Sequence, residues 1–400
     1  MAGAWQVSID NLLVVLQSFN QQKPMIMRKN LNSIVNGVST TASTQCTNEQ
    51  QWTKYHNKQG HGFAAEDANA MYDRWHGKSV EKVGLDNSLN GADRISDGVQ
   101  IQTKYCADAA KSVNAAFDNG TYRYAGMKLE VPSDQYDEAI RIMRGKIASG
   151  QVPGVSDPKM AEQMVVKGHY TYNEAVRIAK AGNLDSIKFD IQTQAVACVF
   201  ACGLSFAVSY CTAKANGMSH AEALKAASKQ AVKSGATTMI TGVAAQQLLR
   251  TQVGRNFAAV ATKAVKPAVQ AAMRTEVGKQ VVTKTATVIA GKQVAGAAAA
   301  NVVTKALRTN AVVSSVVFVG TTIPDAVRLC RRKISGQEFA ENTATNAAGV
   351  GGGWAGASVG AAIGSAICPG VGTVVGGIIG GLGGGMGASF GVKKVFRWFK

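Results

Sequence analysis

"NGADRISDGVQIQTKYC", residues 90–106, decides the reading of the first half of the chain. Asp97-Gly98 is a favoured two-residue hairpin turn, and the residues on either side predict strands over 92–95 and 99–105. With that turn Ser96 faces Val99, and counting back sets Asp93 opposite Gln102. Residues opposite each other across a ladder share a sheet face, with Cβ atoms about 5 Å apart. The two-residue strand period adds Lys104 to that face. Asp93, Gln102 and Lys104 are therefore expected to converge, whereas Asp97 is read as turn chemistry.

Around this hairpin the chain reads as compact. "GFAAEDANAMYDRW" (62–75) predicts a helix with Ala64, Ala68, Met71 and Trp75 on one face. "ADAAKSVNAAF" predicts a second helix and "MKLEV" a third strand. Pro132-Ser133-Asp134 opens the helix "DQYDEAIRIMRGKIA", and "YTYNEAVRIAKAG" ends at Gly182. The element order is helix, hairpin, helix, strand, helix.

An aspartate and a glutamine amide oxygen are hard ligands for Mg²⁺, and a neighbouring lysine suits the charge that develops when a phosphodiester is attacked. Glu66, on the preceding helix, supplies a further carboxylate. A salt-bridged polar strand face is the alternative reading of the same residues. A helix with Glu66, a hairpin with Asp93, then Gln102-x-Lys104, then helix and strand, resembles the PD-(D/E)XK nuclease superfamily in its Mrr-type, Q-x-K form. The resemblance covers residues 60–147. It implies that Asp93 and Gln102 hold the metal, Mg²⁺, and that Lys104 and Glu66 act in catalysis, with Gln102 in place of the usual second acid. His56 and His61 suggest no zinc site, because no cysteine or second histidine pair completes one.

The second half is different chemistry. The chain of 400 residues has a net charge of +18. From Ile191 onward there are 22 Lys and Arg against five acids, so a net of +17 lies there. Such a balance points to phosphate, on lipid headgroups or on nucleic acid. Seven cysteines without a CxxC pair read as reduced, buried small hydrophobes. The first 30 residues lack the pattern of a secretory signal peptide. Thr193–Thr212 is twenty residues without a charge, about one bilayer core as a helix. Residues 309–324 are similar and are followed by Arg328, Arg331, Arg332 and Lys333, a cytoplasmic flank if the segment spans.

From Asn342 to Val392 no residue is charged. Gly352, Gly356, Gly360 and Gly364, then Gly372, Gly376, Gly380 and Gly384, recur at four-residue spacing on either side of Cys368-Pro369-Gly370. Each set lies on one helix face, where missing side chains let two backbones meet. The pattern is similar to the glycine-zipper hairpins of bacterial inner-membrane proteins. Lys393, Lys394, Arg397, Trp398 and Lys400 form a basic, aromatic interfacial anchor.

The sequence therefore predicts an α+β, nuclease-like N-terminal domain over 56–190, preceded by a helix and linker over 1–55. An all-α, membrane-associated half follows: basic helices over 191–333, the hairpin over 342–392 and the anchor over 393–400. The expected location is the bacterial inner membrane, multi-pass, with the N-terminal domain cytoplasmic. Expected partners are anionic headgroups, DNA, and a second copy of the chain through the zipper. Two functions fit: a membrane-anchored, Mg²⁺-dependent DNA nuclease, or a non-catalytic membrane protein, pore or anchor with a binding N-terminal domain.

Overall fold

A computed structural model describes residues 55, 59–83, 90–290, 293–367, 380 and 384. The amphipathic segment at 5–20 and the anchor at 393–400 lie outside the described residues, as do Gly372 and Gly376. Two compact units divide the chain at Phe189 and Asp190.

The first unit opens with α1 (Gly60–Trp75), followed by β1 (Val80–Lys82), β2 (Arg94–Ser96) and β3 (Val99–Thr103). Asp97 and Gly98 both take positive φ, 48° and 79°, the backbone a two-residue turn of the primed type demands. Ser96 faces Val99 and Arg94 faces Ile101, the register expected from the turn. Asp97 also accepts a hydrogen bond from the Ser79 amide, which ties the turn to the start of β1. Next come α2 (Ala109–Asn114), the short hairpin β4 (Phe117–Asp118) and β5 (Thr121–Tyr122), and β6 (Lys128–Val131). Asp108 caps α2 by accepting from the Lys111 amide at 2.7 Å. The unit continues with α3 (Tyr136–Ala148), α4 (Ala161–Met164), β7 (Val165–Lys167) and α5 (Tyr172–Ala179), which begins with a Thr171/Glu174 capping box.

The sheet order is β1-β2-β3-β6-β7, antiparallel up to β3 and parallel beyond it. Its core is Val113, Leu129, Val131, Met143, Ile147 and Val165 with their neighbours, where α2 and α3 cover the parallel strands. Trp75 departs from the expectation: Ala64, Ala68 and Met71 are buried, but Trp75 is 58% exposed. It sits in the last position of α1, where the chain turns at His76 and no element covers it. Strands β1 and β7 were not anticipated; each has only three residues, too few for the two-residue period to register.

Helices make up the described part of the second unit: α6 (Leu184–Ala215), α7 (His220–Leu249), α8 (Gln252–Ala272), α9 (Glu276–Ala290), α10 (Gly296–Cys330) and α11 (Gly336–Ile367). α6 begins a few residues before the unit boundary. Helices α6 and α7 form a hairpin around Gly217, which has φ of +79°. Their seam is made of small residues. A Cβ at Gly235 would run into the Cys202 sulfur, and one at Gly242 into the Gln194 side chain. Small residues at a seam are what lets helices approach closely when both stand in lipid. Asp190 and Arg250 close the base of the hairpin with two 2.6 Å contacts, and both side chains are fully buried.

Two windows, Ala197–Lys214 and Ala311–Cys330, are long and apolar enough to cross a membrane by length and composition. They overlap the charge-free segments read from the sequence and extend a few residues further. In α10 that window leaves Val319, Ile323 and Val327 exposed.

Candidate functional site

The site grows from the hairpin register. The ladder continues past β2, with the Asp93 amide donating to the Ile101 carbonyl at 2.9 Å. Asp93 thus stands opposite Gln102. Its Oδ2 accepts the Gln102 Nε2 at 2.6 Å and the Thr103 amide at 2.8 Å. Lys104 follows the end of β3, and its amide donates to the Glu130 carbonyl, which keeps the parallel ladder going beneath the site. The Lys104 Nζ lies 5.5 Å from the centroid of the Tyr124 ring.

Glu66 comes from the second turn of α1. Burial, then the charge on Asp93, pushes its carboxyl up to about 8, while Lys82 and Lys104 pull the other way. Burial also raises Asp93, against the Thr103 amide and the Lys104 charge. Glu66, Asp93 and Lys104 are therefore within electrostatic reach of one another, and Gln102 is bonded to Asp93. All four sequence-predicted side chains of this group fall in one neighbourhood.

Sequence reasoning missed Lys82 and Asp67. Lys82, on β1, is ion-paired with Asp67 of α1, and the Tyr55 hydroxyl donates to the same carboxylate at 2.6 Å. Lys82 also acts on both Glu66 and Asp93. The only available signal was its alternation with Val80 in a three-residue strand.

Arg94 anchors a buried ion network that reaches α1 through Asp73. Arg94 binds Glu130 through two contacts, 2.5 and 2.8 Å, and reaches Asp73 at 3.2 Å. These three side chains are 1–2% exposed. Burial favours a neutral Asp73, but hydrogen bonds from His169 and Lys78 and the Arg94 charge outweigh it and hold the carboxyl well below its usual range. The network supports the strands that carry Asp93, Gln102 and Lys104.

The donor set of two carboxylates and an amide oxygen is of the kind a hard divalent cation takes. Among the described residues no group of three or more His, Cys, Asp or Glu side chains assembles a metal site. A cation here would rest on Asp93 and Glu66, with Gln102 beside them.

In the tail, Gly356 and Gly384 meet backbone to backbone. A Cβ at Gly356 would clash with the Gly380 carbonyl, and one at Gly384 with the Gly352 carbonyl. At these four glycines α11 meets the backbone of Gly380 and Gly384 without an intervening side chain.

The comparisons with known proteins fall on the same two regions. Residues 43–148 match the family described as the YeeR C-terminal domain. Residues 336–391 match the C13G5.2-like glycine zipper domain. Neither description names a nuclease. "Inner membrane protein YeeR" of Escherichia coli (strain K12) is 51% identical over 115 residues, which is 27% of this chain. The chain spans about a fifth (22%) of the length of that curated relative. No solved structure matches. The chain is thus similar to an inner-membrane protein's C-terminal domain in its first unit and to a glycine zipper in its tail.

Proposed function

We propose that this chain is a multi-helix protein of the bacterial inner membrane. Its C-terminal helices serve as the anchor, and its N-terminal unit is a folded head that binds a ligand. The observation that carries this reading is the glycine seam of Gly352, Gly356, Gly380 and Gly384, within a stretch that has no charge between Asn342 and Val392. Glycine costs about 1 kcal/mol against alanine in an aqueous helix. In lipid the backbone must satisfy itself, and close backbone packing becomes an advantage. The inner-membrane relative and the glycine-zipper match support the same reading. Fractionation of bacteria expressing the full chain tests it. The protein should stay with the inner membrane through high salt and alkaline carbonate. Release by carbonate would sink the anchor.

A second reading is favoured by one specific observation, the convergence of Glu66, Asp93, Gln102 and Lys104. In it the head hydrolyses phosphodiesters of DNA that reach the membrane. Asp93 and Glu66 would hold a Mg²⁺ ion, and that ion would supply the polarisation of the phosphate and the lowered pKa of a bound water. Lys104 sets its ammonium where negative charge develops. Gln102 orients Asp93 through the 2.6 Å contact. The purified full chain in detergent should nick supercoiled DNA with Mg²⁺ and not with EDTA, and Lys104→Ala should lose at least a hundredfold of that rate without a change in melting. A wild-type preparation that binds Mg²⁺ and cuts nothing would leave the head a binding module.

A further inference from the structure

Helix α8 presents three chemically distinct stripes. Gly254, Ala258, Ala261, Val265 and Val269 are buried. Val265 and Val269 pack with Val282 and Ala286 of α9 and Ala299 and Val303 of α10. A second stripe, about 100° round the helix, is apolar and uncovered: Val253 and Val260 are 68% and 64% exposed, and Phe257 is 40% exposed. Ala264, Pro267 and Ala271 continue it at spacings of three and four, all exposed. The third stripe is cationic, with exposed Arg255, Lys263 and Lys266 along one flank and no acid in the helix. Helix α9 repeats the arrangement on a smaller scale, where Val277 is 74% exposed and lies beside exposed Val281 and Lys284.

An uncovered apolar stripe bordered by lysine and arginine is wrong for water and wrong for a bilayer interior. It fits the boundary between them, where the apolar stripe enters the acyl edge and the cations reach phosphate. The packing points the same way. Helices α8 and α9 lie on α10, and the Ala311–Cys330 window of that helix leaves its own apolar side chains uncovered. The lipid-facing surface would then run from α10 onto α8.

We propose that α8, with α9 beside it, lies on an anionic bilayer surface as an interfacial helix, with Val253, Phe257 and Val260 inserted and Arg255, Lys263 and Lys266 on headgroup phosphates. This rests on the membrane reading above. A cation near an anionic surface is worth about a fivefold gain in binding, so headgroup charge should control how deeply the helix sits.

Photolabelling of the full chain tests the proposal. The protein is reconstituted into phosphatidylcholine vesicles and into phosphatidylcholine/phosphatidylglycerol vesicles, each doped with a diazirine-bearing phospholipid. Trypsin cuts after Arg255 and Lys263 and releases residues 256–263, which carry Phe257 and Val260. That peptide should take lipid in the anionic vesicles, at least about fivefold more than in phosphatidylcholine alone. Phe257→Ser combined with Val260→Ser should abolish its labelling and leave labelling of Ala311–Cys330 intact. Unchanged labelling of Ala311–Cys330 and an unchanged far-UV signal serve as the check that the variant is folded. Labelled Ala311–Cys330 with residues 256–263 unlabelled in both vesicles would overturn the proposal alone. Lys263 and Lys266 shielded from acylation by duplex DNA but not by anionic vesicles would overturn it in favour of nucleic acid. No lipid on either segment would overturn it together with the membrane reading.

Discussion

Glu66 is a carboxyl placed where burial and the Asp93 charge both discourage ionisation. In the unfolded chain it ionises above about 4.5, whereas the fold keeps its proton up to about 8. Between those values the native state binds more protons than the unfolded state, so stability falls as pH rises through that window and levels off above it. Each proton retained changes stability by up to about 1.4 kcal/mol per pH unit. Glu66→Gln should therefore melt with wild type at pH 4 and above it at pH 9, read from the thermal transition of the N-terminal unit. A wild-type advantage at pH 9 would mean that the carboxylate is stabilised there. Added Mg²⁺ should raise the wild-type transition at pH 8 and leave Asp93→Ala unmoved, because a ligand stabilises only a fold that holds it. Much of this neighbourhood was legible in the sequence, since one turn type fixes which residues oppose each other, and Asp93, Gln102 and Lys104 follow by counting. Lys82 and Asp67 were not legible, because their pairing depends on where a three-residue edge strand docks on α1.

At the scale of elements, small residues decide which helices pair. Gly356 faces the Gly380 carbonyl, while Gly351, about 1.4 turns away, has open space around it. Gly356→Val should force the helix pair apart and speed amide exchange in α11 at least tenfold in detergent micelles. Gly351→Val, without a neighbour to meet, should leave exchange unchanged. Equal effects would mean that the glycines matter only for helix propensity. The four-residue glycine spacing made this seam readable in advance. The α6–α7 seam was harder to see: it mixes Ala, Ser, Thr and Cys with only two tight glycines, and such residues occur equally on ordinary helix surfaces.

At the scale of the whole molecule, two units carry two different charge balances, a net of +1 before Ile191 and +17 after it. Each unit has its own core, and the buried Arg94 network belongs to the first. Glu130→Gln breaks the shortest contacts of the buried Arg94 network and leaves a guanidinium half-satisfied. Breaking a buried pair costs about 3–5 kcal/mol. The N-terminal transition should drop by about 10 °C, while the helical unit, followed by its own far-UV signal in detergent, should melt as before. The charge asymmetry was plain in the composition, but the Arg94–Glu130–Asp73 network was not, since its members lie 21 and 36 residues apart in sequence.

The Asp190–Arg250 pair sets an order of events during synthesis. Sixty residues separate the two partners, and every residue of α7 lies between them. While the ribosome is still making α6, Asp190 stands near the start of that helix before Arg250, its buried ion-pair partner, exists. It is neutralised only when Arg250 emerges. A chain that stops short of Arg250 would therefore leave Asp190 without its ion-pair partner at the base of the α6–α7 hairpin, so the hairpin closes only once all of α7 has been made.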